Sequence, residues 1–262
     1  MNIVCCIKQV PSTETKVRIN PQIGFVDTSD VEWVINPYDE YAVETALRIK
    51  EKLGTGKITA VSLGPERVKM ALRTVLAMGV DDAVQITDPA FDGIDGLGTG
   101  RVLAAAVAKI GFNLVLCGKQ AIDDDMALVP QVVAHFLGIG HVAVVPEVEV
   151  SAPDVPEIVV HREIEGATEV VVVRLPCLLT IQKGKYQPRY PTLKLMMAAK
   201  KKEIPVWDAK ELGIDPGQLS RQVEVISHRL PPERKAGKVL EGELNQVVPE
   251  LVRFLREEAK VI

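Results

Sequence analysis

The residues best placed to do chemistry lie in one short stretch, 116–131, LCGKQAIDDDMALVPQ, where Asp123, Asp124 and Asp125 stand between an apolar run and the start of a helical pattern. As a divalent-metal site these carboxylates would need further hard oxygen ligands from elsewhere in the chain. As a general acid and base they would need surroundings that split two pKa values, which neighbours on one exposed turn do not usually have. As helix-capping groups they are well placed: one aspartate can accept from free N–H groups of a helix opening at Met126, with the others on the positive end of its dipole. The remaining option is a nucleotide loop, in which the backbone of Gly118, Lys119, Gln120 and Ala121 approaches the ligand and an aspartate reaches a ribose hydroxyl.

Other chemistry is sparse. Cys5, Cys6, Cys117 and Cys177 lie in or beside apolar runs without C-x-x-C spacing, the pattern of buried reduced thiols. His135, His141, His161 and His228 are scattered, and no Ser/His/Asp or Cys/His constellation is legible. There is no G-x-x-x-x-G-K-[ST], and the Gly96–Gly100 cluster follows an acidic loop rather than a strand, so it reads as a flexible loop and helix cap.

The elements that must position these groups follow from periodicity. Asn2–Val10, Lys57–Leu63, Ala83–Ile86 and Asn113–Cys117 are short apolar runs, the pattern of strands covered on both faces. Helical stripes separate them. Asn36-Pro37 offers a cap and a first-turn proline for a helix to Leu53, Gly64-Pro65 opens a second to Met78, and Gly98–Ile110 is a third. The alternation predicts an α/β fold with a parallel sheet and right-handed crossovers. A small hairpin is expected within Lys16–Val26. After Gly138 closely spaced strands, Val142–Val150, Glu157–Ile164, Glu169–Arg174 and Pro176–Gln182, suggest antiparallel additions to the same sheet.

Ligands of open parallel sheets bind at the carboxyl ends of the strands. Three turns qualify here by position, Cys6 to Val10, Leu63 to Glu66 and Cys117 to Met126, and the Asn36-Pro37-Tyr38-Asp39 turn before the first long helix can come near them. Small and turn-forming residues let backbone approach a ligand closely, and a nucleotide is the natural expectation.

Residues 183–240 are broken by Pro188, Pro191, Pro205, Pro216, Pro231 and Pro232, and cannot bury enough of themselves to fold alone. Leu244, Val247, Val248, Leu251, Val252 and Leu255 then recur at helical spacing. An extended arm ending in an amphipathic docking helix is expected, with a compact second domain as the alternative. Within it, Lys183–Lys202 carries seven Lys or Arg and no acid, interleaved with Tyr186, Tyr190, Leu193, Leu195, Met196 and Met197. Apolar anchors ringed by positive charge suit an acidic partner.

The 262 residues, 47% hydrophobic and 25% charged with net charge −4, exclude a global field for nucleic acid. The N-terminus lacks secretory-signal features and no apolar run approaches a membrane span, so a cytoplasmic location is expected, or else an organelle lumen.

The chain resembles the beta subunit of electron transfer flavoproteins. Residues 160–180, VHREIEGATEVVVVRLPCLLT, match that family's signature, with Ala167 where Gly, Asp or Glu is usual. Further matches are IKQVP at 7–11, NPYDEYAVETALRIKE at 36–51, AVSLGP at 60–65, LAMG at 76–79, GKQAIDDD at 118–125 and PRYPTL at 188–193. The resemblance implies a nucleotide-binding α/β domain of the adenine nucleotide hydrolase-like kind over 1–182. Residues 183–262 would form a recognition loop, a subunit-wrapping arm and a terminal helix. It implies a non-enzymatic electron carrier: a heterodimer with an alpha subunit that holds the redox FAD, serving flavin-dependent dehydrogenases such as acyl-CoA dehydrogenases.

The nucleotide in the beta subunit is AMP in some members and a second FAD in electron-bifurcating members, which take electrons from NADH. By matching positions its contacts would be Cys6, Asn36, Pro37, Tyr38, Asp39, Leu63, and Gly118 to Val129, including Asp123, Asp124, Asp125, Ala127, Leu128 and Val129. Ala127, Leu128 and Val129 replace the amide and hydroxyl side chains of AMP-type members. That leaves helix-terminal N–H groups for a phosphate, so AMP, a second FAD and an empty site all stay open. The partner-docking loop would comprise Arg189, Tyr190, Pro191, Thr192, Leu193, Lys194, Leu195, Met196, Met197 and Ala198, with Leu193 as anchor. The alternative class is a stand-alone adenine-nucleotide-binding sensor or hydrolase on a similar sheet.

Overall fold

Neighbouring residues of the buried strands feed two different cores. In the first strand Ile3 and Cys5 belong to one hydrophobic cluster while Val4 and Cys6 belong to the other. Side chains alternate across a strand, so this is a sheet covered on both faces. The computed structural model describes residues 1–219, 221–233 and 237–262; the parts of the expected arm at 220 and 234–236 lie outside the described residues. Along the chain, β1 (Asn2–Cys6), β2 (Gln9–Pro11), β3 (Ile19–Asn20), β4 (Phe25–Val26) and β5 (Trp33–Ile35) precede α1 (Pro37–Leu53). Then come β6 (Lys57–Leu63), α2 (Val68–Met78), β7 (Asp82–Ile86), α3 (Gly96–Ile110), β8 (Leu114–Gly118) and α4 (Val129–Leu137). The remainder is β9 (Gly140–Val145), β10 (Glu147–Glu149), β11 (Glu157–Ile164), β12 (Ala167–Arg174), β13 (Cys177–Ile181), α5 (Leu193–Lys201), β14 (Val206–Trp207) and α6 (Leu244–Arg253).

Seven strands form a parallel sheet in the order β14-β7-β6-β1-β8-β13-β9. Residues of α1 and α2 pack in the cluster on one face, and those of α3 and α4 in the cluster on the other. The chain moves outward from β1 through β6 to β7, then returns to the far side of β1 with β8. The switch point therefore lies between β1 and β8, where a ligand crevice is expected at the carboxyl ends.

Several expectations change. The late strands do not simply add antiparallel partners to the main sheet: β9 and β13 join it in parallel, and the antiparallel set β10-β11-β12 makes a sheet of its own. The Gly96–Gly100 run is the first turn of α3, capped by Asp95 through Gly98 N at 2.9 Å, rather than a loop. A β-carbon on Gly100 would fall 2.4 Å from Val132 Cγ1, so the small residues there let α4 close on α3.

The chain divides into two compact units: Met1–Val17 with Asp27–Ile226, and Arg18–Val26 with Ser227–Ile262. In the first, residues 183–226 contribute α5, which packs on α2, and β14, which pairs with β7 at the sheet edge. The second holds the β3–β4 hairpin, with His228 N donating to Gly24 O at 2.8 Å and the His228 ring edge-on to Phe25. It also holds the amphipathic helix α6, in which no residue is buried. Among the described residues no helix is long and apolar enough to cross a membrane.

Candidate functional site at the carboxyl ends of β1, β6 and β8

The turn that opens α1 and the loop that follows β8 are stitched together by two buried side chains. Asn36 stands at the cap position of α1 but makes no capping bond. Its Nδ2 donates instead to Asp39 Oδ1 at 3.0 Å and to Gln120 O at 2.9 Å, and its Oδ1 accepts from Ile122 N at 3.2 Å. The expected cap is displaced because Asn36 itself is buried, 1% exposed, and its amide must be satisfied by the partners that the fold brings to it.

Asp39 completes the junction. Its Oδ1 also accepts from Gly118 N at 3.0 Å and its Oδ2 accepts from Lys8 N at 2.7 Å. Only 4% of its surface is exposed. Burial pushes the carboxyl up to about 7, against the pull of the hydrogen bonds from Lys8, Asn36 and Gly118 and of the Lys8 charge. Gly118 has to be glycine here, since a β-carbon would fall 2.3 Å from Asp39 Oδ1 and 2.7 Å from Tyr38 Cβ.

The aspartate triad does not cap α4. That helix starts at Val129, after Leu128 at the cap position, with no side-chain cap. The reason lies across the crevice: Lys8 Nζ donates to Asp123 Oδ1 at 2.8 Å and to Asp124 Oδ2 at 2.9 Å. Burial works against the Lys8 ammonium, yet the bonds to Asp123 and Asp124 outweigh it and hold its pKa above the usual lysine range. Asp125 accepts from Gln120 Nε2 at 2.6 Å, and Asp124 Oδ1 accepts from Met126 N at 3.1 Å. Asp125 and Ala127 both take the left-handed backbone conformation, φ 50° each. For non-glycine residues this costs roughly 1–2 kcal/mol apiece. The strained turn leads into an uncapped helix start, whose first N–H groups have no intrahelical partner.

The remaining residues expected in the site cluster around this junction. Cys6 ends β1 and Leu63 ends β6; both pack in the same core cluster as Cys117 of β8. A hydrogen bond with Cys6, then burial, raises the Cys117 thiol well above its ordinary value. Tyr38 and Lys119 face each other, the ammonium 5.2 Å from the ring centre, and Lys119 N is tied to Ile181 O of β13 at 2.8 Å. Pro37 opens α1. Lys8 lies inside the Cys6 to Val10 turn that the strand-end rule selects, but it was not among the individual expected contacts. Among the described residues no group of three or more His, Cys, Asp or Glu is arranged to hold a metal ion.

The expected docking segment forms a separate surface. Thr192 caps α5, its Oγ1 accepting from Leu195 N at 3.3 Å. Leu193 is 79% exposed at the first position of the helix, flanked by exposed Tyr190, Lys194, Met196 and Met197. Leu195 and Ala198 instead line a cleft of about 610 Å³ against the end of α2 and the amino ends of β6 and β7, with Lys57, Asp82 and Lys202 at its walls. Pro191 is half-buried, and Arg189 turns inward to α1.

Residues 23–212 match the electron transfer flavoprotein domain. The chain is 39% identical to the electron transfer flavoprotein subunit beta of Thermoanaerobacterium thermosaccharolyticum, over 97% of this chain and 98% of that protein. It is 38% identical to the same subunit of Bacillus subtilis over the full length of both. Identity is 35% to the caffeyl-CoA reductase-Etf complex subunit CarD of Acetobacterium woodii, over 98% of each chain. With a parallel sheet open at β1 and β8 and end-to-end likeness to known beta subunits, the chain belongs to the electron transfer flavoprotein family as a beta-type electron-transfer subunit.

Proposed function

We propose that the chain works as the beta subunit of a heterodimeric carrier, moving electrons between flavin-dependent dehydrogenases, such as acyl-CoA dehydrogenases, and a redox acceptor. FAD would be held mainly by an alpha subunit. The observation that carries this reading is α6, an amphipathic helix whose Leu244, Val248, Leu251 and Val252 all remain exposed. A stripe of that kind is stable in water only when something covers it, and a flavin-bearing partner is the occupant that the family supplies. The names of two relatives, the CarD subunit of a caffeyl-CoA reductase complex and the acryloyl-CoA reductase electron transfer subunit gamma of Anaerotignum propionicum, fit such a partnership with acyl-CoA chemistry.

The crevice beside β1 and β8 suits an adenine nucleotide, either AMP or the adenine end of a second FAD. Leu63 is half-buried at the end of β6, the Lys119–Asp125 loop after β8 is exposed or half-buried, and the uncapped start of α4 leaves the N–H groups of Val129 and Gln131 for a phosphate, Pro130 having none. Ala127, Leu128 and Val129 bring no polar side chain to that end, so backbone alone would hold the anion. Asn36 and Asp39 are committed to each other and to the loop, and they shape the crevice rather than face its ligand. A bound flavin would supply the one- and two-electron chemistry. This chain would help position the alpha-subunit flavin and present Leu193 to redox partners.

Co-expression with the alpha subunit, followed by extraction of the bound nucleotides, tests the reading. One FAD and one AMP per pair indicate simple transfer, and two FAD indicate bifurcation. A lone chain that is soluble, colourless and binds ATP without any partner would replace this reading with the sensor or hydrolase class.

A further inference from the structure

The segment that carries Leu193 is held from two sides by residues that lie outside it, on α1 and on α2. One side is the outer face of α1. Tyr41 Oη donates to Gln187 Oε1 at 3.0 Å, and the Arg48 guanidinium lies 4.9 Å from the Tyr186 ring centre. Arg189 is gripped hardest: its N, Nε and Nη2 donate to Glu44 at 3.1, 2.8 and 3.0 Å, and Nη1 and Nη2 donate to Glu51 at 2.5 and 3.1 Å. Tyr41, Glu44, Arg48 and Glu51 recur every three or four residues, so one face of one helix makes all these contacts. At the far end of α5, Arg73 of α2 donates to Ala199 O at 2.7 Å and to Lys200 O at 3.2 Å, which closes the helix C-terminus.

Glu44 is the centre of this arrangement. Its side chain is 1% exposed, so it has no surface to offer a partner. It also accepts from Arg48 Nε at 2.6 Å. Burial opposes its charge, but the bonds from Arg189 and Arg48 outweigh that and hold its carboxyl below the ordinary range. Removing one member of such a buried pair leaves the other unsatisfied, whereas the intact set locks both ends.

We infer that Glu44 is a positioning residue for docking: through Arg189 it fixes the direction in which Leu193 leaves the surface, so the anchor meets a redox partner already ordered. The inference rests on the docking role proposed above and adds to it a residue that never touches the partner. Arg189 accordingly serves as the inner hinge pin of the loop. Glu44 also lies on the same helix as Asp39, five residues and about 7.5 Å along the axis from the nucleotide crevice, so one rigid element sets both surfaces.

The test uses the co-expressed pair with a partner dehydrogenase as electron donor, and compares Glu44→Gln, Arg189→Gln, the double variant and Leu193→Ala. Glu44→Gln is expected to raise KM for the dehydrogenase about three- to tenfold, the scale of re-ordering a few side chains at an interface. Flavin absorbance, nucleotide content and kcat should stay unchanged. The double variant should add little to either single one, and amide hydrogen exchange over 186–198 should speed up. If Leu193→Ala raises KM while Glu44→Gln changes neither KM nor exchange, the positioning role is overturned and docking stands. If Leu193→Ala leaves KM alone, docking itself fails and the positioning role with it. Should Glu44→Gln not assemble, Glu51→Gln at the helix surface replaces it and must give a smaller rise; no rise there also overturns the inference.

Discussion

Asp39 Oδ1 and the amide of Gly118 are 3.0 Å apart, and the same oxygen would be 2.3 Å from any β-carbon placed on Gly118. The α1 turn and the loop after β8 can meet only because one side of the contact has no side chain. Gly118→Ala must therefore push the two apart, at a cost of about 1–3 kcal/mol by analogy with overpacked cores. The expected outcome is a lower melting temperature together with loss of nucleotide from the purified pair. Full nucleotide content in a stable Gly118→Ala protein would show that the crevice does not depend on this contact.

Asp39 also predicts a pH dependence. Its folded pKa, about 7, lies above the ordinary value of 3.8 because it is buried, so the folded state holds the proton more tightly than the unfolded chain. Its contribution to stability is fully present below the unfolded value and is lost as pH rises through about 7. Urea melts at pH 5 and pH 8 should show the protein weaker at the higher pH, by at most about 1.4 kcal/mol per pH unit from this group. Asp39→Asn cannot ionise and should flatten that part of the slope; an unchanged slope in the variant contradicts the assignment.

Lys8 joins the end of β1 to Asp123 and Asp124, with 44% of its side chain exposed. Partly exposed ion pairs contribute little to global stability, on the order of 0–1 kcal/mol. The larger effect of Lys8→Met should be local. Two neighbouring carboxylates lose their shared cation, the 123–127 turn loosens, and nucleotide release should quicken several-fold and become sensitive to salt. Dialysis of the pair at low and high ionic strength measures it, and identical retention in both proteins would remove Lys8 from the site.

Leu193, at 79% exposure, packs on little in its own chain. Truncation to alanine should leave the melting temperature nearly untouched, within roughly 0.5 kcal/mol, and leave the flavin spectrum unchanged, while slowing electron delivery to or from the dehydrogenase. A spectral change with normal transfer kinetics would place the residue near the flavin instead.

The residues of Lys57–Leu63 or of the α1 stripe Ala42, Val43, Ala46 and Leu47 announce their elements in the chain itself, because hydrophobic periodicity is a local property. The parallel sheet, the hairpin within 16–26, the terminal amphipathic helix and the family all follow from such local patterns and motif blocks. What the three aspartates do could not be read that way. Their sequence fits a helix cap, yet the partner of Asp123 and Asp124, Lys8, lies more than a hundred residues away, and only folding places β1 beside β8. Asn36 was diverted from its cap by Gln120 and Ile122 for the same reason, and nothing local in the sequence marks Glu44 as buried, because Arg189, which closes over it, lies 145 residues on. Local periodicity determined the elements and their order. Contacts distant in sequence, whose energies depend on burial and mutual geometry, decided which charged groups shape the crevice, which hold the docking segment and which remain free.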